Sequence, residues 1–168
     1  MSSVSNLKEK FRVSILDFTE KWRTSISNNF LSSLLNLNDW VRDFDMSMKS
    51  RDTQNKLLYV KRGVNLLNMF SKQSIKELNS IEDKEIQCRN LLLRNRGCSE
   101  TELSNIKELK IDLNQFSYDI IGCNQMGADL LLQILANLSF LRTDPTYNKI
   151  LESLKLDCLE LRKRSIRY

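Results

Sequence analysis

The chain contains no histidine, and its 168 residues hold only one proline, Pro145, and four glycines. Without histidine the Ser-His and Cys-His nucleophile pairs are excluded, and so is the Glu-x-x-His ligation of carboxylate-bridged di-iron bundles. With so few glycines and prolines a sheet protein is not expected, because one of this size would need many more such turn residues. No apolar stretch is long enough to cross a bilayer. The most apolar run, Leu130 to Leu141, is broken by Gln133, Asn137 and Ser139. The Met-Ser-Ser start lacks a basic segment followed by an apolar one, so a secretory signal is not expected and an intracellular place, cytoplasmic or nuclear, is. In that setting Cys88, Cys98, Cys123 and Cys158 are expected as four reduced thiols, and Asn137-Leu138-Ser139 as an incidental match to the glycosylation pattern.

What is present is helix. Hydrophobic residues make up 41% of the chain and charged ones 28%, a globular or coiled-coil composition rather than a disordered one. Twelve apolar positions, Leu7, Phe11, Ile15, Phe18, Trp22, Ile26, Phe30, Leu34, Leu37, Val41, Phe44 and Met48, are spaced only by threes and fours. That spacing predicts a helix over about 5–49, with a kink at Ser25 to Asn29. Its second half keeps a heptad seam, and Leu31, Leu35 and Trp40 widen the apolar face so that the helix touches two neighbours.

Residues Ser50 to Asn55 carry no apolar side chain, and Asp52 is placed to cap a second helix over about 53–95. Its stripe is Leu57, Val60, Val64, Leu67, Phe70, Ile75, Leu78 and Ile81, with Gly63 inside it at a cost of about 1 kcal/mol against alanine. Gly97 suits a helix end, and Ser99 with Glu102 forms a capping box for a third helix over about 100–142. Gly122 and Gly127 leave little volume in its middle, so either a bulky neighbour fills the gap or the helix bends. Asp144-Pro145 opens a short last helix over about 145–163. The expected fold is therefore one all-α domain, 1–168: an elongated antiparallel bundle or coiled coil of three long helices plus a short C-terminal one. A segment of some forty residues would span about 60 Å.

The net charge of +5 is unevenly spread. Residues 51–96 carry +5 and residues 97–142 carry −3, which favours packing the second and third helices side by side. No metal, cofactor or catalytic residue is expected. The cysteines lack Cys-x-x-Cys spacing, and although Cys98 follows Arg94 and Arg96, an ordinary loop thiol is the plainer reading. The carboxylate pairs Asp17 with Glu20 and Glu82 with Glu85 read as solvated surface.

The apolar aromatics Phe11, Phe18, Trp22, Phe30, Trp40, Phe44 and Phe116 read as core or as a partner interface. Arg162, Lys163, Arg164 and Arg167 could touch phosphates of nucleic acid or an anionic membrane, or could simply neutralise a helix end. With no stacking aromatic or glycine-rich loop beside that cluster, nucleic acid is the weaker of these partners. The functional expectation is a non-enzymatic structural or interaction subunit of a helical assembly, as homo- or hetero-oligomer. In shape the pattern resembles the long-helix subunits of kinetochore, microtubule-associated or membrane-tethering complexes, without any family motif. The alternative is a helical module on a membrane surface, similar in outline to banana-shaped curvature-binding dimers. The charges decide between them. Lys56, Lys61, Arg62, Lys72 and Lys76 would line one exposed face for lipid, or interleave with Glu100, Glu102, Glu108 and Asp112 in a purely structural helix pair. An enzyme, or a secreted helical cytokine held by disulfides, ranks below both.

Overall fold

The structure is a computed structural model and describes residues 3–94, 97–111 and 113–164; side chains are described except at residues 3, 109–111, 113 and 164. Described residues form helices α1 (Ser3–Trp22), α2 (Asn28–Arg42), α3 (Phe44–Met48), α4 (Thr53–Leu93), α5 (Glu100–Ile111), α6 (Leu113–Asn137) and α7 (Asn148–Arg164), with a 3-10 turn at Ser139–Thr143. The fold is all-α. Among these residues no helix is long and apolar enough to cross a membrane.

The first 45 residues depart from the single helix that their spacing predicts. At Arg23 to Ser27 the chain reverses, and α2 runs back along α1. The Ser25 amide closes a turn on the Trp22 carbonyl at 2.9 Å, and the Ser27 hydroxyl caps α2 by accepting from the Phe30 amide at 3.2 Å. The Ser27 amide itself donates to the Glu77 carboxylate at 3.1 Å, which ties the reversal to α4. The physical reason lies in the stripe. As a straight rod it would need another chain to cover it, whereas folding it about Ser25 brings Phe18 onto Phe30 with ring centres 5.7 Å apart and Phe11 onto Trp40 at 6.4 Å. The shape is thus a bundle rather than a rod of three forty-residue helices.

The bundle continues in alternating directions. Pairs Trp40 with Tyr59, Phe30 with Phe70 and Ser27 with Glu77 set α2 antiparallel to α4. Trp22 and Phe18 meet Asp119 and Phe116 at one end of α6, while Phe11 meets Gly127 further along, so α1 is antiparallel to α6. Arg162 of α7 reaches Asp129 of α6 at 3.4 Å, and α7 also packs on α4. The charge-complementary segments do pack together, α4 lying against both α5 and α6.

Local signals hold at several joints. Asp52 accepts from the Gln54 amide at 3.0 Å to start α4, and Ser99 accepts from the Glu102 amide at 3.1 Å at the start of α5. Gly97 adopts a φ of 74°, which permits the tight turn between α4 and α5. The last helix begins later than 145, because the Asp144 carboxylate takes the Thr146 amide at 2.8 Å and spends residues 145–147 on a turn. The third helix likewise gives way near its end to the 3-10 turn. Gly127 is answered by filling: Leu67 and Phe11 sit 3.0 Å from where its Cβ would be, and α6 runs on through it.

Candidate functional site

Inside this bundle lie all seven aromatic candidates. Phe11, Phe18, Trp22, Phe30, Trp40, Phe44 and Phe116 are buried in the chain's own core. Of the two readings, core or partner interface, their burial is that of a core, because the α1–α2 reversal supplies from the same chain the surface that a rod would have had to borrow. Phe116 contacts Phe18, Trp22 and Phe30 with ring centres 4.9 to 5.9 Å apart, so α1, α2 and α6 lock at one aromatic cluster. Trp22 keeps its indole N–H satisfied by donating to Asp119 at 2.9 Å, which also takes Lys21 at 3.1 Å.

Of the basic C-terminal candidates, only Arg162 and Lys163 have described side chains. Arg162 is held by Asp129, Lys163 is exposed, and the Arg164 side chain and Arg167 lie outside the described residues. A phosphate site there would have to compete with the Asp129 contact.

A different surface emerges on α4. At 100° per residue, Leu57, Val60, Val64, Leu67 and Phe70 turn inward and are buried, while Leu58, Lys61, Arg62, Asn65, Met69, Lys72 and Lys76 turn outward and are exposed. From Lys56 to Lys76 the sequence has no acidic residue at all. Lys56 sits apart, half-buried on the other side of the helix. Beside this face Leu58 and Lys61 join Tyr147, in the turn before α7, and Ile150 of α7 in lining a recess of about 260 Å³. Leu58 is 54% exposed and Ile150 47%, so apolar side chains border the recess on both helices. The signal was present in the sequence as the polar complement of the α4 stripe.

A larger groove, about 800 Å³, runs between α1 and α6 past Val13, Asp17, Lys21, Tyr118 and Gly122. Its charges alternate in sign, so it concentrates no field.

The cysteines divide into two kinds. Cys88 and Cys98 are joined as a disulfide across the α4–α5 turn, with Cα atoms 5.4 Å apart, where four reduced thiols were expected. Helix α4 ends and α5 begins so that residues ten apart face each other, a closeness that spacing alone does not reveal. Cys98 is therefore not the free loop thiol of the sequence reading. Cys123 and Cys158 are free and buried, and burial pushes each thiol up to about 12, against a weaker opposing hydrogen bond to Ser14 at Cys123.

Two results follow for these thiols. Alkylation of the native, unreduced chain at pH 8 should label neither Cys123 nor Cys158, whereas in guanidinium chloride mass spectrometry should find both modified. Stability should also be pH-dependent in a defined direction. Unfolded thiols ionise near pH 8.5 while the folded ones hold their protons, so their contribution is whole below that pH and falls as pH rises toward about 12. Urea midpoints measured from pH 7 to pH 11 check the sign.

Compared with protein-family models, curated proteins and solved structures, the chain finds no match.

Proposed function

We propose that this chain is a non-enzymatic interaction subunit that works by helix-to-helix contact with another protein, and that its docking surface is the outward face of α4 with the recess beside α7. The carrying observation is the coexistence on that face of exposed apolar side chains, Leu58, Met69 and Ile150, with the cations Lys61, Arg62, Lys72 and Lys76 and no acid from α4 between them. Such a surface fits an amphipathic helix with acidic flanks: apolar anchors enter the recess and carboxylates meet the lysines and arginine.

A second reading is an anionic lipid surface. It is favoured by the same cations lying together on one exposed face of α4; Asp112, one of the acids expected to interleave with them, lies outside the described residues. The recess argues for a protein, since a hollow between two helices accepts a side chain from a partner helix.

The test places a photo-crosslinking amino acid at Asn65, in the middle of the face, in the cells that make the protein. Crosslinks to an acidic helical segment of one partner, lost when Lys61, Arg62, Lys72 and Lys76 are all changed to Glu in a chain that stays folded, are expected. Lipid adducts at Asn65, with salt-sensitive flotation on phosphatidylserine vesicles, would replace the first reading by the second. Neither protein nor lipid adducts would overturn both.

A further inference from the structure

The tip of the α4–α5 hairpin carries a second kind of chemistry. Cys88 on the last turns of α4, Cys98 in the connecting turn and Glu102 in the first turn of α5 bring two sulfurs and a carboxylate oxygen within 4.8 Å of one another. Three elements contribute to that grouping, and its members are not an accident of one helix face. Cys88 is buried, Cys98 half-buried and Glu102 exposed, so the cluster opens to solvent on one side.

We propose that the reduced Cys88 and Cys98 pair, with Glu102, is a binding site for a thiophilic divalent cation of the zinc class, with water completing the coordination. The donor set is right for such an ion: two thiolates and one carboxylate leave a fourth position open to solvent. So are the distances. Tetrahedral zinc, with Zn–S near 2.3 Å and Zn–O near 2.0 Å, needs its ligand atoms about 3.3 to 3.8 Å apart. The three ligand atoms already lie within 4.8 Å of one another, and reduction frees the two sulfurs to move apart to that spacing.

The backbone is already arranged to hold these ligands. Ser99 caps α5 through the Glu102 amide, which fixes where the Glu102 side chain leaves the helix, and Gly97 supplies the φ of 74° that lets Cys98 approach Cys88. Three anionic ligands and a divalent ion would sum to a single negative charge.

The chemistry balances with a dithiol or phosphine reductant. A dithiol gives two electrons and two protons, breaks the S–S bond to leave two thiols and becomes a disulfide itself; a phosphine gives the two electrons, and water gives the two protons and the oxygen of the phosphine oxide. Cation binding then breaks the two S–H bonds, releases two protons to solvent and forms two metal–sulfur bonds. One hairpin is thus closed by a covalent bond when oxidised and by a metal when reduced.

The experiment uses the full chain, reduced with a phosphine, and titrates it with cobalt(II) and then zinc(II) alone. One cobalt per chain is expected, with thiolate-to-cobalt charge transfer in the near ultraviolet and tetrahedral bands in the visible, both lost on adding one equivalent of zinc. Cys98→Ser should remove the charge-transfer band. Glu102→Gln should keep it but weaken affinity at least about tenfold, the low end of what even outer-shell partners of a metal contribute. Circular dichroism establishes that each variant is folded. As a readout independent of the variants, zinc should protect Cys88 and Cys98 from alkylation and leave the buried Cys123 and Cys158 unlabelled as before. Absence of charge transfer at stoichiometric cobalt, its persistence in Cys98→Ser, or unchanged alkylation of Cys88 and Cys98 in zinc would overturn the proposal.

Discussion

Phe116→Asp is expected to leave no folded protein at 25 °C. Phe116 is 3% exposed, and its ring touches Phe18 and Trp22 of α1 and Phe30 of α2, so it is the point at which α6 closes the hairpin of the first two helices. Removing a buried phenylalanine costs about 3 to 5 kcal/mol in transfer and cavity terms alone. A carboxylate placed there must either stay charged among the side chains of Phe18, Trp22 and Phe30 or take up a proton, and either course adds several kcal/mol. Against a total stability of about 5 to 15 kcal/mol for a domain, the sum is decisive. Circular dichroism of the purified variant should show loss of helix, or expression should fail. Phe116→Leu, which keeps the volume close, should fold with a lowered urea midpoint. A fully helical, cooperatively melting Phe116→Asp would mean that the cluster is not a core, and the packing of α6 on α1 would have to be redrawn.

This prediction was reachable from the sequence, since Phe116 falls on the apolar stripe of the third segment, and so do the caps at Asp52 and Ser99. The reversal between α1 and α2 was not. From Trp22 through Ile26 to Phe30 the apolar spacing stays at fours, so the stripe passes the turn without a change of phase. Only the polar run Ser25 to Asn29 marks the place, and there is no glycine or proline in it. A helix pattern reports which face is buried, not what buries it. In a rod the covering surface comes from another chain, in a hairpin from the same one, and the two read identically along the sequence. That ambiguity is why the aromatics stood as interface candidates and turned out to be interior.

The outward face of α4 was half legible. Its lysines and Arg62 were visible as charge, and whether they would face α5 or solvent depended on the angle at which α5 meets the helix. Because α5 sits toward the distal end of α4, while α2, α6 and α7 cover the inward side of the proximal end, Lys61, Arg62, Lys72 and Lys76 remain in water. The Cys88–Cys98 pairing was illegible for a related reason. Two cysteines ten residues apart meet only if the chain reverses midway between them, and the site at Glu102 exists only through that meeting.

Two glycines within helices should respond to alanine with opposite signs. Helix propensity treats them alike and favours alanine at each by about 1 kcal/mol. At Gly122 the space around a Cβ is empty to 4 Å, the groove between α1 and α6 lying open there, so Gly122→Ala should raise the urea midpoint. At Gly63 a Cβ would lie 2.4 Å from Cζ2 of Trp40 and 2.9 Å from Cδ2 of Leu131. Trp40 has little room to give way. Its indole donates to the Tyr59 carbonyl at 2.9 Å, its ring stacks on the Tyr59 ring at 4.6 Å, and the Tyr59 hydroxyl donates back to the Trp40 carbonyl. Overpacking of this kind costs about 3 kcal/mol, so Gly63→Ala should lose about 2 kcal/mol net, and Gly63→Val, with a β-branch in the same space, considerably more. Equilibrium unfolding of the variants gives both signs. The cause can be isolated by combining Gly63→Ala with Trp40→Leu: once the indole is gone the alanine penalty should largely disappear, because the two changes act on one contact. An unchanged penalty in the double variant would assign the cost to Leu131 or to the helix backbone, and the close approach of α2 to α4 at Gly63 would lose its role in fixing the bundle.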